Sequence, residues 1–222
     1  MVKGNILEIL EKHLSHLLKC SLLPEKSYLA GGTAVYFYLK HRISVDLDFF
    51  TPTPFNSELF IPEMKECFDD VQVELMEKNT VILFLSKEKI KFSLFLFPYD
   101  NLVENKTIHL ADGTTCPLAS LDDIEAMKSI AISQRGSAKD FVDLYRILRK
   151  TGHRFDDILK LIIKKYELES NYEYQLKTSF VYFEDAEKEV DNIIMIKENK
   201  DKMELGKNQW LKIKEFFREF IK

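Results

Sequence analysis

Tyr28-Leu29-Ala30-Gly31-Gly32-Thr33, followed after a short amphipathic run by Val45-Asp46-Leu47-Asp48-Phe49-Phe50, decides how this chain is read. The first stretch has the pattern of a buried strand that enters a glycine turn and opens a short helix. The second reads as a strand whose alternate residues are carboxylates. Successive side chains of a strand point to opposite faces, so Asp46 and Asp48 project side by side while Leu47 and Phe49 enter the core. Gly31 and Gly32 let a backbone approach closely, and Thr33 opens a helix whose free amides and positive dipole end favour a phosphate.

Taken singly, each piece has an ordinary explanation. A Gly-Gly pair is more often only a turn, and an Asp-x-Asp is commonly a solvated strand edge or a capping pair. Together they are harder to set aside. Val45, Leu47, Phe49 and Phe50 frame an apolar strand, where two like charges on one face raise each other's proton affinity unless a divalent cation binds. Metal-binding carboxylates beside a phosphate cradle are what nucleotidyl transfer requires.

Length and composition fit that chemistry. With 222 residues, 45% of them hydrophobic, the chain can form one large domain or two small ones around a sizeable core. No apolar run approaches membrane-spanning length, and Glu8 and Glu11 sit in an amphipathic N-terminal helix where a secretory leader would be apolar, so a cytoplasmic location is expected. Cys20, Cys67 and Cys116 are an odd set without metal-ligand spacing; they read as reduced packing residues, and zinc is not expected. A net charge of −4 argues against a general polyanion binder. The segment Lys128–Arg154 nevertheless carries +5, which marks a face that meets phosphates or, for Arg146, Arg149 and Lys150, a solvated helix surface.

Outward from the two opening stretches, periodicity predicts helices over 5–19, 33–40 and 57–68, and strands over 71–77, 80–86, 89–97 and 106–111. Asp112-Gly113 follows as a turn. From residue 118 the period becomes helical. Ser120 with Asp123 has the form of a capping box for the helix carrying Lys128, and Gly136 breaks that helix. Ser137 with Asp140 can cap the next one, with Asp140 and Asp143 along its edge, where Asp143 could also form a surface pair with Lys139 or Arg146. Helical runs cover 155–166, 170–190 and 205–221, with a charged loop near 197–202. The architecture expected is α+β: a mixed β-sheet of about five strands over residues 1–118 with flanking helices, and a C-terminal helical bundle over 119–222 forming the other wall of a cleft.

Leu29-Ala30-Gly31-Gly32, thirteen residues, then Asp46-Leu47-Asp48-Phe49 resembles the signature of the nucleotidyltransferase superfamily with the polymerase-beta-like catalytic fold. The fuller string, with His41-Arg42-Ile43-Ser44-Val45 leading into Asp46, is similar to the AbiEii/AbiGii-type nucleotidyltransferase toxin family. Met127-Lys128, Ala131, Arg135 and Lys139-Asp140-Phe141-Val142-Asp143-Leu144-Tyr145 resemble that family's second motif. The resemblance covers residues 27–150 and implies an enzyme that uses magnesium or manganese, held by Asp46 and Asp48, to move an NMP from an NTP to a hydroxyl of a tRNA or a protein. It also implies an antitoxin partner or a phage-defence setting.

On that resemblance Gly31, Gly32 and Thr33 bind phosphate with their amides, Lys128 or Lys139 neutralises the leaving pyrophosphate, and Asp140 and Asp143 serve the nucleotide and the acceptor. One departure stands out. Many superfamily members carry a third carboxylate on a later strand, and the aligned residue here is Ser93, neither a good magnesium ligand nor a base. Glu74, Asp140 or Asp143 could substitute. The alternative is a catalytically silent module that retains the fold and binds nucleotide or a partner protein.

Overall fold

The computed structural model describes residues 6–168, 171–197, 199 and 201–222. The chain divides into two compact units. One takes the residues up to Ala34, Ser44–Asp100 and Glu104–Ala119; the other takes Val35–Ile43, Asn101–Val103 and Ser120 onward.

The first unit is built on a seven-stranded mixed sheet, where the sequence leads to a sheet of about five. Helix α1 (Ile6–Lys19) precedes β1 (Tyr28–Leu29), which runs directly into helix α2 (Gly31–Leu39); then come β2 (Leu47–Thr51), α3 (Ser57–Cys67), β3 (Val71–Glu77), β4 (Thr80–Leu85), β5 (Ile90–Leu96), β6 (Lys106–His109) and β7 (Thr115–Leu118). The strand order is β3-β4-β5-β2-β1-β7-β6, with β2 parallel to β5, β1 parallel to β7 and the other neighbours antiparallel. Alternation does the work it predicts: Leu47 and Phe49 of β2 and Phe92 and Leu94 of β5 are fully buried. Along the edge strand β3 the register shifts between Val73 and Leu75, a bulge centred on Glu74.

Asn56 caps α3 by accepting from the amides of Glu58 and Leu59, and the helix runs on through Pro62. Its last residue, Cys67, is joined by a disulfide to Cys20, which follows α1. This corrects the reading of those two cysteines as reduced packing residues. Only Cys116 is free among the cysteines, and burial pushes its thiol up to about 12.

The second unit is mainly helical, with α4 (Leu121–Gln134), α5 (Ala138–Thr151), α6 (Phe155–Tyr166), α7 (Tyr172–Phe180), α8 (Glu184–Glu187) and α9 (Lys207–Phe220). A two-stranded hairpin of β8 (Ile194–Ile196) and β9 (Lys202–Glu204) lies before α9, between the helical runs predicted over 170–190 and 205–221, where the sequence reading has only a charged loop near 197–202. Glu198 and Lys200, in the charged loop of the sequence reading, fall outside the described residues. The aromatic residues of the C-terminal region pack as a core: Phe141 lies 5.2 Å from Phe217 and 5.1 Å from Phe183, and Phe180 lies 5.4 Å from Phe217, ring centre to ring centre. Such contacts are core packing energetics, not base-stacking platforms. None of the described helices is long and apolar enough to cross a membrane.

Candidate active site

β1 ends where α2 begins, and the turn between them is made by Gly31, whose φ is +63°. A Cβ at Gly31 would lie 2.5 Å from Oδ2 of Asp48. No side chain fits there, so the backbone at the start of α2 sits directly against the carboxylate of β2. The amide of Ala30 donates to the carbonyl of Asp48 at 2.9 Å, locking the turn to the strand.

Thr33 is fully buried, and its hydroxyl donates to the carbonyl of Asp46 at 2.6 Å and lies 3.1 Å from the Ser44 hydroxyl. The side chain therefore fixes the segment leading into β2, and a contribution of Thr33 to phosphate binding rests on its amide. Asp46 precedes β2 by one residue, and both Asp46 and Asp48 are half-buried. In the parallel pairing of β2 with β5 the register partner of Asp48 is Ser93, itself buried. The position beside the second carboxylate is thus occupied by a hydroxyl. Glu74 pairs with Lys91 at 2.8 Å on the sheet.

These donors suit a hard divalent cation. Two carboxylates on alternate positions, beside a backbone turn that carries no side chain, match the all-oxygen preference of magnesium, while the serine adds no third charge.

The second unit holds the other group of sequence-predicted residues, and it is a buried ion network. Asp143 is fully buried, not at a helix edge. Its Oδ1 accepts from Nε2 of His41 at 2.7 Å and from Nε of Arg42 at 2.6 Å, and its Oδ2 accepts from a terminal guanidinium nitrogen of Arg42 at 2.7 Å. Lys128 stands 2.8 Å from the same Oδ2 and 2.8 Å from Oδ1 of Asp140. Asp140, also fully buried, accepts from Arg135 at 2.8 Å and from the Ser137 hydroxyl at 2.9 Å. Surface pairing of Asp143 with Lys139 or Arg146 is not what the structure shows, and Lys128 is no solvated lysine.

Charge balance sets the protonation of this network. Burial pushes the Asp143 carboxyl up, but Arg42 and Lys128 beside it outweigh burial and hold it well below the carboxylate range. Asp140 is likewise lifted by burial and brought down to about 2 by Lys128 and Arg135. Burial lowers Lys128, and the two aspartates more than reverse it. For His41 burial prevails, lowering its pKa despite the bond to Asp143. The neutral ring then donates Nε2–H to Asp143. Lys139, by contrast, is exposed, as are Arg146, Arg149 and Lys150.

His41 and Arg42 are the residues to which sequence reasoning gave no role. Their signal was present: an adjacent His-Arg pair leading into the Asp-x-Asp. Their partner, Asp143, lies 101 to 102 positions away, and nothing local names it. The capping box at Ser120 is also altered. Ser120 accepts from the Asp123 amide, but the Asp123 carboxylate turns to the Ser120 hydroxyl, the Leu102 amide and a fully buried Lys165 at 2.6 Å.

A glycine turn packed on a strand carboxylate, carried by a mixed sheet and followed by a helical unit, is the arrangement of the nucleotidyltransferase class. Among solved structures the fold is similar to MenT4, a nucleotidyltransferase toxin of Mycobacterium tuberculosis, at a TM-score of 0.56 and 14% identity over 96% of this chain and 82% of that one. It is also similar to JHP933 of Helicobacter pylori, at a TM-score of 0.54 and 17% identity over 97% and 88% of the two chains. A protein of Aquifex aeolicus (strain VF5) is 37% identical over 198 residues, 88% of this chain and 86% of its own length. The chain belongs to the AbiEii family: the model described as nucleotidyl transferase AbiEii toxin, type IV toxin–antitoxin system, matches residues 12–220.

Proposed function

We propose that this chain is a magnesium- or manganese-dependent nucleotidyltransferase that moves an NMP from an NTP to a hydroxyl of an RNA, such as the end of a tRNA, or of a protein, and that it acts as the toxin of a pair with an antitoxin. The observation that carries the reading is Gly31 pressed against Asp48 within a family-wide match. Asp46 and Asp48 would hold the ion, which supplies charge neutralisation and orientation of the triphosphate. The amides of Gly31, Gly32 and Thr33 at the start of α2 bind phosphate oxygens, since they lie at the positive end of a nine-residue helix.

Lys128, Asp140 and Asp143 take a different part from the one the resemblance implies. Lys128 is committed to two carboxylates at 2.8 Å and Asp143 to three cationic or hydrogen-bonding side chains. We assign them to fixing Arg42, four residues upstream of Asp46 in the chain, and hence the segment that delivers both carboxylates. The exposed Lys139 remains for charge on the nucleotide or acceptor. A second reading, a silent nucleotide- or protein-binding module, is favoured by Ser93 beside Asp48.

Incubating the protein with each labelled NTP, magnesium and total RNA or total protein separates the two. Label transferred to a macromolecule, and lost on chelation, supports the enzyme; NTP binding without transfer under every condition supports the silent module.

A further inference from the structure

The disulfide has a third neighbour. His16, Cys20 and Cys67 bring one ring nitrogen and two sulfurs within 4.8 Å of one another. Cys20 follows α1 by one residue and its amide donates to the carbonyl of His16 at 3.1 Å, so the turn closing α1 brings both to one face, and Cys67 meets them from the end of α3. The Nε2 of His16 is 2.7 Å from the carbonyl of Cys67, which orients the imidazole and leaves the lone pair of the neutral ring on Nδ1. Phe68 packs edge-on against the same ring at 4.8 Å. The ends of the helices open onto a cavity of about 370 Å³ lined in part by Lys12, His16, Cys67 and Asp69.

We propose that His16, Cys20 and Cys67 form a zinc-type metal site when the disulfide is reduced. Two thiolates and one imidazole on a tied ring are a borderline-soft donor set, suited to zinc and unsuited to magnesium. Ligand atoms around tetrahedral zinc stand roughly 3.3–3.8 Å apart, so the sulfurs separate and the nitrogen closes in by small side-chain rotations. The Cα atoms, 6.2 Å apart, remain in place. Water completes the fourth position.

The chemistry balances. A dithiol such as a thioredoxin-type protein gives two electrons and two protons to the Cys20–Cys67 bond and becomes a disulfide itself. The two thiols then bind Zn²⁺ as thiolates and release two protons. Exchange with a carrier disulfide re-forms the bond and expels the ion.

The test uses the full chain, reduced with a phosphine, freed of reductant and titrated with Co²⁺ and then Zn²⁺. One cobalt per chain should bind with a thiolate-to-cobalt charge-transfer band, which Asp46 and Asp48 cannot produce, and zinc should displace it. The oxidised chain should show no such band. Cys20→Ser and Cys67→Ser should abolish it and Cys116→Ser should leave it intact; His16→Ala should weaken cobalt binding by at least the roughly tenfold that loss of a mere supporting group costs. Should a cysteine variant fail to fold, alkylation of the folded, reduced parent decides, since zinc should then shield Cys20 and Cys67, the two thiols that are not buried as Cys116 is. No band in the reduced parent, a band that survives Cys20→Ser, an unchanged affinity in His16→Ala, or thiols that zinc does not shield would each overturn the proposal.

Discussion

Gly31 shows what one hydrogen atom in place of a side chain does. Its backbone is left-handed, which costs other residues about 1–2 kcal/mol, and a methyl group there would overlap the Asp48 carboxylate. Gly31→Ala should therefore lower stability by at least that amount and abolish transfer, as read by a melt and the labelled-NTP assay. Asp46→Ala and Asp48→Ala should part these effects: activity disappears, while the melting temperature holds or rises because a repulsion is removed. If either aspartate variant unfolds the chain, the carboxylate is structural. Asp143→Asn is the opposite case. It strands Arg42 and Lys128 in a buried place with half their countercharge, a loss of about 3–5 kcal/mol, so denaturant titration should show a destabilised protein before any assay does. At this scale the sequence was legible for the placement of Asp46, Asp48 and Gly31, which follows from adjacent residues. It was silent on Asp143, whose partners come from the other side of a hundred residues.

Among the elements, α4 and the turn after α5 carry a pH-sensitive pair. Glu125 is fully buried, and burial lifts its carboxyl to about 7, while His153 beside it at 2.8 Å opposes the rise. Partial burial pulls His153 down, but the bond to Glu125 outweighs it and raises the imidazole. Both groups hold their protons more tightly folded than unfolded. The stability they contribute is therefore whole below the ordinary carboxyl value of 4.5 and is lost as pH rises through about 7. The melting temperature should fall between about pH 4.5 and about pH 7, and Glu125→Gln should flatten that fall. Asp140 and Asp143 act at the other end: their contribution is present above 3.8, that of Asp140 is lost as the pH drops toward about 2, and that of Asp143 is lost only well below the carboxylate range. Elements were legible where period was strong. Residues 71–77 and 155–166 match the observed β3 and α6. β7 was not, because Thr115-Cys116-Pro117-Leu118 is four residues long, carries a proline and has too few positions to display alternation. Its place is set by β1 and β6, through Leu29 opposite Leu118 and Thr107 opposite Pro117.

For the whole molecule, the Cys20–Cys67 bond closes a loop across 47 positions. Its reduction in metal-free buffer should lower stability by about 2–4 kcal/mol, seen as a drop in melting temperature that Cys20→Ser no longer shows. Pairing of cysteines was beyond reach of the sequence, since spacing alone does not say which helix ends meet. The surface charge is a further whole-molecule property. Arg146, Arg149 and Lys150 are exposed on α5, so binding of a long RNA acceptor should weaken steeply with salt and less steeply in Arg149→Ala, whereas NTP binding should not distinguish the two proteins.

The bulge at Glu74 bears on how the chain survives crowding. β3 is an outer strand of the sheet, and Val73 and Met76 on it are exposed. A straight strand of this composition would offer its unpaired amides and carbonyls to a second molecule, beginning a ribbon of stacked copies. The extra residue kinks the strand, and the Glu74–Lys91 pair sets charge at the kink. An irregularity that looks like a flaw in the ladder is in this sense a guard against aggregation, and deleting Glu74 would trade a tidier sheet for a less soluble protein.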